Sequence, residues 1–162
     1  FSALAAMMKN GLGIKTANLE FDGEFDIHSD AGVVDGNMAT NFQSLSDCVR
    51  AFKQDIGDLW NNVTIVTITE FGRRLEQNAS NGFDHGWASA MFVMGGGVRG
   101  GQVVTKWPGL TDTRDGDLKV TTDYRTVLAE VMKVRGGMPA DKISQILPGF
   151  QAQDLGIVKP LV

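Results

Sequence analysis

The sequence predicts a layered α/β domain, with a mostly parallel sheet and flanking helices. Three observations carry this expectation. Met38, Phe42, Leu45, Val49, Phe52 and Ile56 recur at spacings of four and three, which places all six on one helical stripe. The run Val63-Thr64-Ile65-Val66-Thr67-Ile68-Thr69 is wholly β-branched and suits a strand buried on both faces. Strand-like and helix-like segments then alternate to the end of the chain.

Residues 2–10 read as the end of a helix, stopped by Gly11 and Gly13. Residues 14–21 alternate imperfectly and predict a strand. Residues 22–37 are rich in Gly, Asp and Ser and predict a loop. The apolar stripe follows, with Asn37 as its expected N-cap and Gly57 as its stop. That stripe is expected to form core against strand 63–69. A charge at Leu45 or Val66 should then cost several kcal/mol. After the β-branched run comes a long polar loop, 70–87; loops of that length are usually functional or disordered. Residues 90–94 form a second apolar strand pattern ending in Gly95-Gly96-Gly97, and 102–106 a third before the Trp107-Pro108-Gly109 turn. Thr122 or Asp123 can cap a helix carrying Tyr124, Val127, Leu128, Val131 and Val134, ended by Gly136-Gly137. A short helix over 140–147 stops at Pro148-Gly149. No internal repeat or low-complexity tract is present. Ligands of α/β sheets sit at loops following strand ends, so loops 21–37 and 70–87 are the ones to examine.

Composition removes several classes. The chain has 162 residues, which is one domain's worth, and 43% are hydrophobic, too many for a disordered segment. Fifteen basic against 19 acidic residues give a net charge of −4, which argues against nucleic-acid binding by counterion release. No apolar run approaches the ~20 residues of a membrane span. Cys48 is alone, so neither a disulfide framework nor a thiolate metal site can form, and any metal must take oxygen and nitrogen ligands. The chain opens on Phe1 with no visible signal peptide, so either a removed leader or a larger upstream portion is expected.

Both histidines fall in the two loops, each beside an aspartate. Asp26 and His28 are two residues apart, and in an extended segment they project to the same side, where one ion could meet both. Asp84 and His85 are adjacent, able to diverge to separate ions or share one. Carboxylate plus imidazole suits zinc, manganese or iron, and with more oxygens calcium or magnesium. Glu70 stands immediately after the buried-strand pattern, where its carboxylate would emerge at the sheet edge. Arg73 and Arg74 follow, and their planar guanidinium forks suit phosphate or sulfate oxygens. Solvated loop side chains are the rival reading for all of these.

Other motifs fail on context. Gly95 to Gly100 matches the spacing of a dinucleotide fingerprint, but strand-like residues follow where a helix must begin. The Asp112–Asp117 stretch resembles a calcium loop without its spacing or closing glutamate. No G-x-S-x-G elbow exists. Cys48 lies beside the apolar stripe and reads as an inert buried thiol.

Taken in order, Val66 to Arg74, Gly82-Phe83-Asp84-His85-Gly86 and Met94 to Gly101 resemble an exported bacterial group, the domain-of-unknown-function family fifteen-oh-one. Asp26-Ile27-His28-Ser29-Asp30 resembles its W-D-T-H-x-D segment, and Gly116 to Leu118, Thr121 to Arg125 and Pro148 to Phe150 resemble its tail. That sulfatase-like group is a branch of the alkaline phosphatase superfamily. The resemblance implies the C-terminal portion of an alkaline-phosphatase-like α/β fold, as a single domain over 1–162 of a longer chain. It implies two divalent ions held by Asp26, His28, Glu70, Asp84 and His85, with Arg73 neutralising an oxygen of a phosphate or sulfate ester. Two such ions could stabilise both attacking and leaving oxygens. It also implies export by the twin-arginine route to the periplasm or cell surface. Ile27 and Phe83 stand where the family has threonine, and the superfamily's nucleophile comes from an earlier strand.

Two functions are therefore expected in competition. One is a metal-dependent hydrolase of a phosphate or sulfate ester outside the cytoplasm. The other is a non-catalytic exported module, a subunit of a surface assembly that keeps the fold without the nucleophile, with a protein partner or its own upstream half. A cytoplasmic binding domain without metal is a third.

Overall fold

A computed structural model describes residues 1–111 and 113–161. The N-terminal core joins two helices, α1 (Ser2–Lys9) and α2 (Asn37–Ile56). The stripe seen in the sequence forms α2, and Phe52 and Ile56 at its C-terminal end bury against Ala5 of α1. Phe1, Leu4, Trp60, Val63 and Ile65 close around them, with the Phe1 and Phe52 rings 5.4 Å apart. Lys9 of α1 pairs with Asp55 of α2 across the same junction. Toward its start α2 is more open: Phe42 remains 42% exposed and meets the edges of Phe25 and Phe92.

A 3₁₀ turn over Gly57–Asn62 leads into the strands β1 (Ile65–Val66), β2 (Gly72–Arg73), β3 (His85–Gly86), β4 (Val93–Met94), β5 (Thr113–Arg114) and β6 (Asp117–Leu118). They pair as three separate antiparallel ladders, β1 with β4, β2 with β3 and β5 with β6. Helix α3 (Tyr124–Glu130) is capped by Asp123, whose Oδ1 accepts from the Arg125 amide at 2.9 Å. It runs on through a π turn, Val131–Arg135, before α4 (Ala140–Ile146). Here a second core forms, where Val127 of α3, Ile157 and Val158 pack against Val66, Val93 and Val98. No helix among the described residues is long and apolar enough to cross a membrane.

The layered parallel α/β sheet of the alkaline phosphatase type is thus not what the chain forms. Helices and short antiparallel two-strand ladders replace it. The β-branched run was the misleading signal. Only Ile65 and Val66 pair, on one side alone, and Ile68 further along is 61% exposed. Such a composition marks a half-buried pleated surface and says nothing of how many neighbours a strand has. An antiparallel pair also needs no crossover helix, so strand–helix alternation did not entail parallel order. Residues 14–21 and 102–106, expected as strands, are irregular, and Val103 is 88% exposed. The β5–β6 hairpin was unforeseen. Its turn is Asp115-Gly116, both with positive φ, within the stretch compared with a calcium loop, whose first residue Asp112 lies outside the described residues. Cys48 is free and half-buried rather than buried.

Candidate functional site

Loops 21–37 and 70–87 meet, and their meeting is built mainly from backbone. Segment 27–31 runs antiparallel to 80–83: Phe83 N donates to the Ile27 carbonyl, Asp30 N to Ser80 and Ala31 N to Asn81, at 2.9–3.0 Å. Ile27 is 6% exposed and points inward, so its neighbours Asp26 and His28 both face outward. Gly82 permits this approach, since a Cβ there would lie 2.0 Å from the His28 carbonyl carbon. Gly86 does the same for β3 on β2, where a Cβ would lie 2.6 Å from the Arg73 carbonyl.

On that frame three ligand atoms converge. Asp26 Oδ1 lies 3.0 Å from His28 Nε2 and 2.9 Å from His85 Nε2, and the two imidazole nitrogens are 3.2 Å apart. The other nitrogen of His28, Nδ1, is 3.0 Å from Asp84 Oδ1. A carboxylate only accepts, so Nδ1 carries a proton, and in the neutral ring the Nε2 lone pair faces the other two ligand atoms. His85 is held by stacking on Phe71, with ring centroids 3.8 Å apart and planes 18° from parallel. A proton on His85 Nε2 would be donated to Asp26 Oδ1, which also accepts from Arg73 Nη2, whereas one cation would meet all three ligand atoms. At a bond length of about 2.1 Å, adjacent donors of an octahedral ion stand ~3.0 Å apart and those of a tetrahedral ion ~3.4 Å. The observed triangle lies closer to the former. All three side chains are about half exposed, at 56%, 49% and 48%, so further coordination positions would open to solvent.

Two groups keep this arrangement charged and in place. Arg73, on β2 directly across from His85, donates from Nη2 to Asp26 Oδ1 at 2.9 Å and to the Phe25 carbonyl, and from Nη1 to the Phe83 carbonyl. Hydrogen bonds from His85 and then from Arg73 hold the Asp26 carboxyl below the usual aspartate range. Asp84 is likewise held low, first by Asn78 and then by His28. Asn78 organises the whole turn: its Nδ2 donates to Asp84 Oδ1 and the His28 carbonyl, while its Oδ1 accepts from Ser80 N and Gly82 N.

The structure therefore gathers Asp26, His28 and His85 into one triangle and sets Asp84 behind His28. Glu70 is exposed and is not part of the triangle, and the described residues assemble no second group of this kind. Arg74, its side chain turned to the β5–β6 hairpin, bonds Asp117 Oδ1 and the Asp115 carbonyl. Asn78 and Phe71 escaped sequence reasoning. Their only signal was membership of the long loop that carries Asp84 and His85.

Comparison with known proteins yields one family. A family of proteins of unknown function (DUF1501) matches over residues 2–134, and the chain belongs to that family. No curated protein and no solved structure matches the chain.

Proposed function

We propose that this member of the family is a divalent-metal-dependent hydrolase domain acting on a phosphate or sulfate ester outside the cytoplasm. The observation that carries the reading is the convergence of three ligand atoms, Asp26 Oδ1, His28 Nε2 and His85 Nε2, at 2.9–3.2 Å from one another, with His28 Nδ1 set against Asp84. Asp26, His28 and His85 are the ligands in this reading. Asp84 orients His28 through Nδ1, as outer carboxylates do for metal-bound imidazoles. Arg73 fixes Asp26 and brings a positive charge to the rim, while Asn78 keeps Asp84 ionised and aimed. When bound there, a divalent ion supplies Lewis acidity toward an ester oxygen. The ester class and the twin-arginine export to the periplasm or cell surface rest on the resemblance of segments 66–74 and 82–86 to sulfatase-like proteins.

Metal analysis and turnover test this reading together. About one ion per chain is expected, lost on His85→Ala, with hydrolysis of p-nitrophenyl phosphate or sulfate that follows the ion. Under about 0.2 ions per chain, unchanged by His85→Ala, would end it. One observation favours a second reading, a non-catalytic exported module: the ligands are half exposed, whereas reaction centres usually exclude water. Full metal occupancy without turnover of either ester would select that reading.

A further inference from the structure

The two histidines of the triangle are held by different physics. His28 is fixed through Nδ1 by the Asp84 carboxylate. His85 is not: among the described residues its hydrogen bonds both run through Nε2, to Asp26 and to His28. Its ring lies instead on the face of Phe71, with 3.8 Å between centroids and planes 18° from parallel. Phe71 is itself anchored. Its carbonyl accepts from Thr69 Oγ1 at 3.1 Å. Gly72 beside it approaches Ala88 so closely that a Cβ there would lie 1.9 Å from the Ala88 carbonyl oxygen. Two residues on, Arg73 shares the same side of the strand, its guanidinium 5.1 Å from the Phe71 ring centre. One side of segment 71–73 thus serves two ligands: Arg73 holds Asp26 and Phe71 holds His85.

We propose that Phe71 is the positioning residue for His85, holding its ring plane while the ring exchanges one tautomer for the other on ion binding; this rests on the metal reading above. Without an ion, Nε2 carries the proton and donates it to Asp26 Oδ1 at 2.9 Å. Ligation uses the lone pair of that same nitrogen. The proton then sits on Nδ1, in a side chain 48% exposed, and the charge of the ring is unchanged. A carboxylate at Nδ1, such as Asp84 gives His28, would lock one tautomer in both states. A stacked aromatic face favours neither, because it contacts the plane of the ring and not its edge. It removes the tilt of the imidazole and keeps Nε2 aimed at Asp26 throughout.

Two measurements test this: zinc affinity by competition with a chelating dye, and imidazole ¹⁵N chemical shifts, with His85 assigned by its loss in His85→Ala. At about pH 8, where neutral imidazole prevails, the shifts should place the His85 proton on Nε2 in EDTA and on Nδ1 with zinc. Phe71→Leu keeps apolar bulk without the flat face. It should weaken zinc by at least about tenfold, and the His85 ring protons should lose the upfield shift that a stacked neighbour causes. Phe71→Tyr restores a ring and should stay within about threefold of the wild type. Equal zinc affinity in Phe71→Leu and the wild type would overturn the assignment. So would an equal loss in Phe71→Tyr and Phe71→Leu, which would reduce Phe71 to packing, or a proton already on Nδ1 in EDTA. Any of these with zinc bound to the wild type leaves the metal reading standing; a wild type that takes up no zinc removes both.

Discussion

Two sets of charged side chains in this molecule are each held by several hydrogen bonds, yet one is closed and the other open. Glu130, at the end of α3, is 2% exposed, and its two oxygens accept from four successive amides, those of Leu155, Gly156, Ile157 and Val158. Arg135, at the end of the π turn, is 8% exposed and donates to Thr64 Oγ1 and to the carbonyls of Asn61, Lys159 and Pro160. Together they latch segment 155–160 onto the body of the chain. Every donor there meets an acceptor. In the Asp26–His28–His85 triangle, by contrast, Asp26 Oδ1 accepts from Arg73 and the two imidazole nitrogens meet 3.2 Å apart on the open surface. A closed set contributes stability; a half-exposed one contributes little.

Removing the closed set should cost most. Glu130→Ala leaves four amides without their acceptor, those of Ile157 and Val158 buried, and a loss of about 3–5 kcal/mol is expected in urea unfolding. Glu130→Gln sharpens the comparison, because the amide NH₂ then faces backbone donors on one side; it should recover only part of the loss. Arg135→Met keeps much of the stem's packing but orphans three carbonyls and the Thr64 hydroxyl, and about 2–4 kcal/mol is expected. Changes below about 0.5 kcal/mol at both positions would remove the distinction between the two regions.

The open set should behave in the opposite way. His85→Ala should change stability by less than about 1 kcal/mol in EDTA, since its side chain is half exposed, and should abolish ion binding. Asp84→Asn should leave the fold intact and weaken metal affinity by about 10–100-fold, read by competition with a chelating dye, because His28 loses the partner that fixes its tautomer.

How far these regions were legible in the sequence follows from the range of the forces involved. The α2 stripe could be read because helical periodicity is local: Phe52 and Ile56 are buried as the spacing requires. Asp26 and His28 could be picked out because a spacing of two puts side chains on one side, and buried Ile27 between them realises it. That His85 would arrive 2.9 Å from Asp26 depends on Gly82 and on the 27–31 against 80–83 pairing, and no local pattern encodes that pairing. Sheet order was illegible for the same reason, since β-branched residues do not name their partners. Glu130 and Arg135 did leave a trace. They are charged residues bordering the apolar Val131 and Val134, and a charge on an apolar face signals a buried partner.

The smallest effect concerns acid. Asp26 and Asp84 ionise more readily in the folded protein than in the unfolded chain, where aspartate titrates at about 3.9. The folded state therefore binds fewer protons there, and the contribution of the two carboxylates is whole above that pH. It fades only as pH falls through the lower folded values, in the acid range below about 4. Because both side chains are half exposed, the change should be local. Protonating Asp84 removes an acceptor from His28 and from Asn78, and Asn78 holds the turn through Ser80 N and Gly82 N. Hydrogen exchange from pH 5 to pH 3, corrected for its intrinsic pH dependence, should lose protection first at Gly82 and Phe83 while the α2 amides keep theirs. Equal loss in α2 and in the turn would mean that these carboxylates are coupled to the whole fold, and that the open set carries stability after all.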